Sequence, residues 1–131
     1  MMHRGILYWV LLIIAISTVV SGLVQLVNPG FVLGLVGAEQ SLTANHFFAI
    51  VGMFMVLFGG LLWQALASAA APPMVLLWAG LQKFGASAAV GLGAARHVFG
   101  STSLLVAGFD LLSGILIFVY WASVRKAGNG K

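Results

Sequence analysis

The chain has 131 residues, of which 62% are hydrophobic and 6% charged, with a formal net charge of +4 and no cysteine. A soluble domain carries about a quarter of its residues as charges, so this composition excludes a water-wetted globule; the missing cysteine excludes disulfides, thiolate metal sites, dithiol redox chemistry and palmitoylation. The basic residues sit at span ends and termini rather than on a face interleaved with aromatics, which excludes nucleic acid as a partner.

The apolar residues fall into four blocks of about 20, each long enough at about 1.5 Å per residue to cross a hydrocarbon core of about 30 Å. The first block covers residues 5–27. Its basic start and the small residues Ser21 and Gly22 imitate a secretory signal, but the apolar run continues to Val27, so it reads as a retained span. Asn28-Pro29-Gly30 ends it, because proline removes a backbone donor and pushes the preceding residue out of the helical region. Residues 31–37 are apolar but too short to span, and are expected to lie in the interface or to dip in and return. The polar stretch 38–45 follows.

The second span covers 46–66 and carries Gly52, Gly59 and Gly60. A tight break at Ala71-Pro72-Pro73 makes the next span, 73–96, its antiparallel neighbour. Residues 97–102 form a turn into the fourth span, 103–122, and 123–131 read as a flexible polar tail. The 17 glycines, and the small residues Ala79, Gly80, Ala86, Ser87, Gly91 and Ala94 of the third span, read as helix packing, since backbones in lipid are drawn together only by close approach.

Arg4, Arg125, Lys126 and Lys131 fall on one side of this arrangement against Arg96 on the other, which places both termini in the cytoplasm. Tyr8, Trp9, Trp63, Trp78, Tyr120 and Trp121, every Trp and Tyr in the chain, map to the same half, where amphipathic rings favour the interface. The expected architecture is all-α, a single-domain, integral membrane four-helix bundle with cytoplasmic termini, multi-pass in a cell membrane of the bacterial inner-membrane kind.

Ionisable groups inside a span cost about 2.5 kcal/mol or more and face the bundle interior, which singles out Lys83 and Asp110. With the last turn centred near residue 100, Asp110 lies level with about Gly91 and Lys83 roughly 10 Å deeper. Side chains lean toward their own helix N-terminus. An Arg96–Asp110 pair is therefore expected at least as readily as Lys83–Asp110, and either reads as a register-fixing pair or as part of a site.

The other polar side chains favour the outer half: Ser17, Thr18, Ser21 and Gln25 in the first span, Asn45 and His46 opening the second, and Ser87 in the third. With Asp110, Ser113, Arg96 and His97 they would line an outward pocket, with Ser17, Ser21 and Gln25 on one face at spacing four. Such a pocket suits an amphipathic molecule, a quinone or a lipid, with Asp110, His46 or His97 handling protons. The bland alternative is that the hydroxyls bond back to their own helix carbonyls and that His46 and His97 anchor helix ends. No metal site is expected, because His3 lies on the cytoplasmic side while His46, His97, Glu39 and Asp110 come from separate segments without ligand spacing. No phosphate-binding glycine loop or Ser/His/Asp arrangement can be specified, so no catalytic residue is assigned.

Asn28-Pro29-Gly30-Phe31 through Leu35-Val36-Gly37, then Asn45-His46-Phe47-Phe48-Ala49-Ile50-Val51-Gly52, Gln82-Lys83-Phe84 and Gly108-Phe109-Asp110-Leu111-Leu112 together resemble the DoxX-like superfamily of small four-helix membrane proteins. That resemblance implies the bundle, and an accessory role beside redox enzymes or quinone-reducing complexes. The expected function is a binding or accessory protein for a lipophilic molecule such as a quinone or lipid, or a subunit of a larger membrane complex. The alternative is an oligomeric small-solute or ion channel or transporter, a homo-oligomer in which Lys83 favours an anion. A membrane enzyme using Asp110 with His46 or His97 as acid and base ranks third.

Overall fold

The computed structural model describes residues 5–129, with side chains through Ala127; Arg4 and Lys131 of the charge argument, and His3, lie outside the described residues. The described chain folds as five helices, α1 (Ile6–Val27), α2 (Pro29–Leu35), α3 (Leu42–Ala67), α4 (Pro73–Ala95) and α5 (Ser103–Asn129). Four of them, all but α2, are long and apolar enough to cross a bilayer, the arrangement of a multi-pass membrane protein.

Local chemistry explains where each helix begins. Asn28 ends α1 and caps α2, its side chain accepting a hydrogen bond from the Phe31 amide at 3.4 Å, and Pro29 takes the first helical position, where a missing N–H costs nothing. Ser41 Oγ accepts from the Ala44 amide at 3.0 Å, so α3 starts at Leu42, four residues ahead of the expected position. Pro73 opens α4 in the same way as Pro29 opens α2. At the far end α5 does not stop near Ala122: the part of the expected polar tail that is described, from Ser123 to Asn129, continues the helix. Arg125 lies 5.2 Å from the Trp121 ring, a cation over an aromatic face one turn back, and Lys126 sits in the last turn, where the helix dipole favours a cation.

The helices pack as two close pairs, α1 on α3 and α4 on α5, which touch each other far less. Glycine makes the first pair close. A Cβ added at Gly22 would lie 2.7 Å from the Gly52 carbonyl oxygen, and one at Gly52 would lie 2.7 Å from the Leu26 amide nitrogen; one turn or two further along, a Cβ at Gly59 would meet the Val19 backbone nitrogen at 3.0 Å. In the second pair glycine instead seats aromatic rings: Phe118 covers Gly80 and Phe84 covers Gly114, with the two rings stacked 5.2 Å apart.

One end of the bundle, the terminal end, gathers the start of α1 and the late turns of α5. There Tyr8 is buried, donates a hydrogen bond to the Leu66 carbonyl at 2.8 Å and stands 6.5 Å from the Tyr120 ring, over a core of Leu11, Leu62, Leu66, Leu76 and Ile117. The other, the cap end, is closed where the turn between α4 and α5 meets the end of α2. The Gly100 amide donates to the Val36 carbonyl and Thr102 Oγ1 to the Leu35 carbonyl, both at 2.7 Å. Gly37 has φ +69°, and a Cβ there would lie 3.0 Å from Gly100, so this crossing requires glycine at position 37.

Gly52→Ala is expected to destabilise the chain by about 1–3 kcal/mol, because the added methyl meets backbone that cannot move aside, whereas Gly60, with nothing within 4 Å of an added Cβ, should accept alanine at no cost. Thermal unfolding of both variants in detergent checks the contrast.

Candidate functional site

The first polar centre is inside the bundle. Lys83 on α4 and Asp110 on α5 are both buried, with side chains 7% and 12% exposed, and Lys83 Nζ stands 3.4 Å from Asp110 Oδ1. The shorter bond of the ammonium goes elsewhere, to Thr18 Oγ1 of α1 at 2.7 Å, and Thr18 in turn donates to the Ile14 carbonyl at 2.8 Å. The Phe109 ring lies 5.5 Å from Nζ. Lys83 therefore has a hydroxyl, a carboxylate and a ring face around its three donors, and its bond to Thr18 ties one helix pair to the other inside the bundle.

The expectation that Arg96 would compete for Asp110 is corrected. Arg96 is the exposed C-cap of α4, and the carboxylate's cationic partner is Lys83. The register explains this. With α4 ending at Ala95 and α5 beginning at Ser103, Asp110 is level with about Ala88, roughly 7–8 Å of helical rise from Lys83, and the flexible four-carbon lysine stem spans that gap against its intrinsic lean.

The remaining candidates separate. Gln25 is buried and donates to the Phe48 carbonyl at 2.9 Å, joining α1 to α3. Ser87 donates to the Ala107 carbonyl at 2.8 Å, joining α4 to α5, and Ser113 is buried in the same pair. Ser17 is half-buried and Ser21 exposed, so the expected stripe of Ser17, Ser21 and Gln25 is not the buried one; Thr18, Gly22 and Gln25 are. A strict spacing of four drifts about 40° per step around a helix of about 3.6 residues per turn, and the close approach at Gly22 fixes which face turns inward. Sequence reasoning counts Thr18 among the polar residues but misses it as the partner of Lys83. The available signal was its place one turn before Gly22.

The second polar centre lies at the cap end. A cavity of about 630 Å³ opens between the α2–α3 connection, the first turns of α3 and the turn after α4. Leu33, Phe48 and Phe99 give it an apolar wall, while Glu39 and His97 supply its ionisable groups. His97 is exposed and has φ +60°. Its amide bonds to the Ala94 carbonyl at 3.1 Å and the Val98 amide to the Gly93 carbonyl at 2.8 Å, the paired bonds of a helix end whose left-handed residue is ordinarily glycine. A histidine there costs about 1–2 kcal/mol of backbone strain, a cost of the kind found where a side chain is needed in place. His46 is exposed and outside the cavity wall, one residue before Phe47, whose ring it meets at 6.3 Å. Asn45, next to the lining residue Ala44, holds its amide oxygen buried without a hydrogen-bond partner.

Asp110 is buried and does not line this cavity, whose ionisable groups are Glu39 and His97. Glu39 entered the sequence reading only as an unlikely metal ligand, since nothing local marks a loop carboxylate as lining a cavity. Compared with known proteins, the chain matches no family model, no curated protein and no solved structure.

Lys83→Met alone leaves a buried carboxylate unpaired and is expected to lose about 3 kcal/mol, whereas Lys83→Met with Asp110→Leu should recover most of that, because a buried ion pair is readily replaced by apolar groups of similar size. A double-mutant cycle of thermal stability in detergent reads the coupling directly.

Proposed function

We propose that this protein is a non-catalytic binding protein of the membrane that holds a lipophilic molecule with a polar end, a lipid or a quinone-like compound, at the cap-end cavity, alone or as an accessory subunit of a larger membrane complex. The observation that carries this reading is the cavity itself: an apolar wall of Leu33, Phe48 and Phe99, with Glu39 and a backbone-strained His97 as its polar groups. Its volume falls in the range of about 300–1,000 Å³ typical of small-molecule sites, and its few polar groups on an apolar wall are the usual means of orienting an amphipathic guest.

Arg125 and Lys126 at the terminal end, against Arg96 at the cap end, favour cytoplasmic termini in a cell membrane of the bacterial inner-membrane kind, with the cavity on the outer side. A channel through the bundle is the weaker reading, because the partners of Lys83 already occupy its ammonium. An enzyme is weaker still, because His46 and His97 are both exposed at the cap end while Asp110 is held inside by Lys83.

Native mass spectrometry of the chain extracted gently from its own membrane should show a lipophilic molecule at one per chain. Val51→Trp, which fills the cavity from its lining, should release it, while Ser21→Ala on the exposed face of α1 should retain it. A bare chain would count against the reading, and a bare homo-oligomer would favour the channel.

A further inference from the structure

Acidic groups are scarce here: the chain has two, Glu39 and Asp110, against six Lys and Arg. Asp110 is taken by Lys83 inside the bundle. Glu39 is exposed in the wall of the cap-end cavity, and among the described residues no ion pair neutralises it. On another part of the same site His97 lines the cavity with its ring N–H donor, and the exposed Arg96 precedes it at the end of α4, outside the cavity lining. The rim therefore carries an anionic side and a side able to donate hydrogen bonds to an anion. A purely anionic headgroup would meet the Glu39 carboxylate unfavourably, and a purely cationic one would leave the His97 donor without a partner; a zwitterion gives each a partner.

The lining also indicates the route. Phe47, Val51 and Val98 line the cavity yet are 62%, 48% and 56% exposed. Beside the cavity, the end of α2 and the turn after α4 are held together by the Gly100–Val36 and Thr102–Leu35 hydrogen bonds. Among the described residues no hydrogen bond joins α3 to the turn after α4. The gap between α3 and that turn is thus bordered by exposed apolar residues, as a hydrocarbon chain entering from the bilayer requires.

We infer that the occupant of this cavity is a membrane phospholipid with an ammonium-bearing zwitterionic headgroup, its ammonium at Glu39, its phosphate at His97 beside Arg96, and an acyl chain entering between α3 and the turn after α4. This rests on the lipophile-binding reading and names its ligand.

The test is native mass spectrometry of the full chain released from bilayers of equal phosphatidylethanolamine and phosphatidylglycerol. Phosphatidylethanolamine should be retained in excess by up to about fivefold, the worth of one exposed charge contact, and Glu39→Gln should erase that excess without emptying the site. Equal retention, a preference for phosphatidylglycerol, or an excess untouched by Glu39→Gln would overturn the inference and leave the lipophile reading standing. The same holds if some other lipophile displaces both phospholipids, whereas no adduct of any kind would overturn both. Because the chain has no cysteine, Val51→Cys gives a clean probe of the route: an uncharged lipophilic maleimide should label it and a charged, water-soluble one should not, and the reverse would put the opening on water and sink the lateral entry.

Discussion

Inside a bilayer no water drives one helix onto another, so cohesion has to come from how closely backbones approach. In this chain that approach is set at Gly22 and Gly52, where neither position has room for a Cβ. The contact does more than hold α1 to α3. By fixing the rotation of α1 it turns Thr18 and Gln25 inward and Ser17 and Ser21 outward, and so it delivers the hydroxyl that Lys83 requires. The polar interior is a consequence of the glycine seam rather than an independent feature.

Lys83 then does for the two helix pairs what glycine does within one. Its 2.7 Å bond to Thr18 crosses from α4 to α1, while its contact with Asp110 at 3.4 Å stays within the α4–α5 pair. A charge-assisted N–H···O bond usually closes to about 2.7–2.9 Å, so the ammonium sits nearer the neutral hydroxyl than the carboxylate. Position, more than charge attraction, governs the arrangement. An ammonium whose donors are shared among a hydroxyl, a carboxylate and a ring is a fastening, and the weight of ligand chemistry moves to the cap end.

The four spans were legible because hydrocarbon thickness and hydrophobic length are properties of composition, which a sequence carries directly. Helix ends were less so: Ser41 as a cap moves the start of α3 to Leu42, and the helical continuation of α5 past Ser123 depends on local pairs such as Trp121 with Arg125. Lys83 and Asp110 stand out as buried charges in any reading of the spans, but their pairing hung on a register difference of a few residues and on the reach of a lysine stem. The cavity was least legible. Glu39 and His97 are 58 positions apart and come to line one cavity where the α2 end and the turn after α4 are bonded together at Val36 and Gly100. The Asn28-Pro29-Gly30 motif marks where α1 stops, yet nothing in it says what the following short helix will meet.

The cavity draws its walls from both helix pairs, with Leu33 and Phe48 on one side and His97 and Phe99 on the other. Those pairs are otherwise joined by the apolar core of Leu11, Leu62, Leu66, Leu76 and Ile117, by the Lys83–Thr18 bond and by the cap-end hydrogen bonds. A guest that touches both walls adds to this fastening, and since it binds only the assembled chain it stabilises the fold as its concentration rises above its dissociation constant. The strain held at His97 fits the same proposal, for a left-handed histidine is a cost of the kind kept where a side chain is needed in place. On the proposed reading, binding and bundle cohesion are then two aspects of one seam.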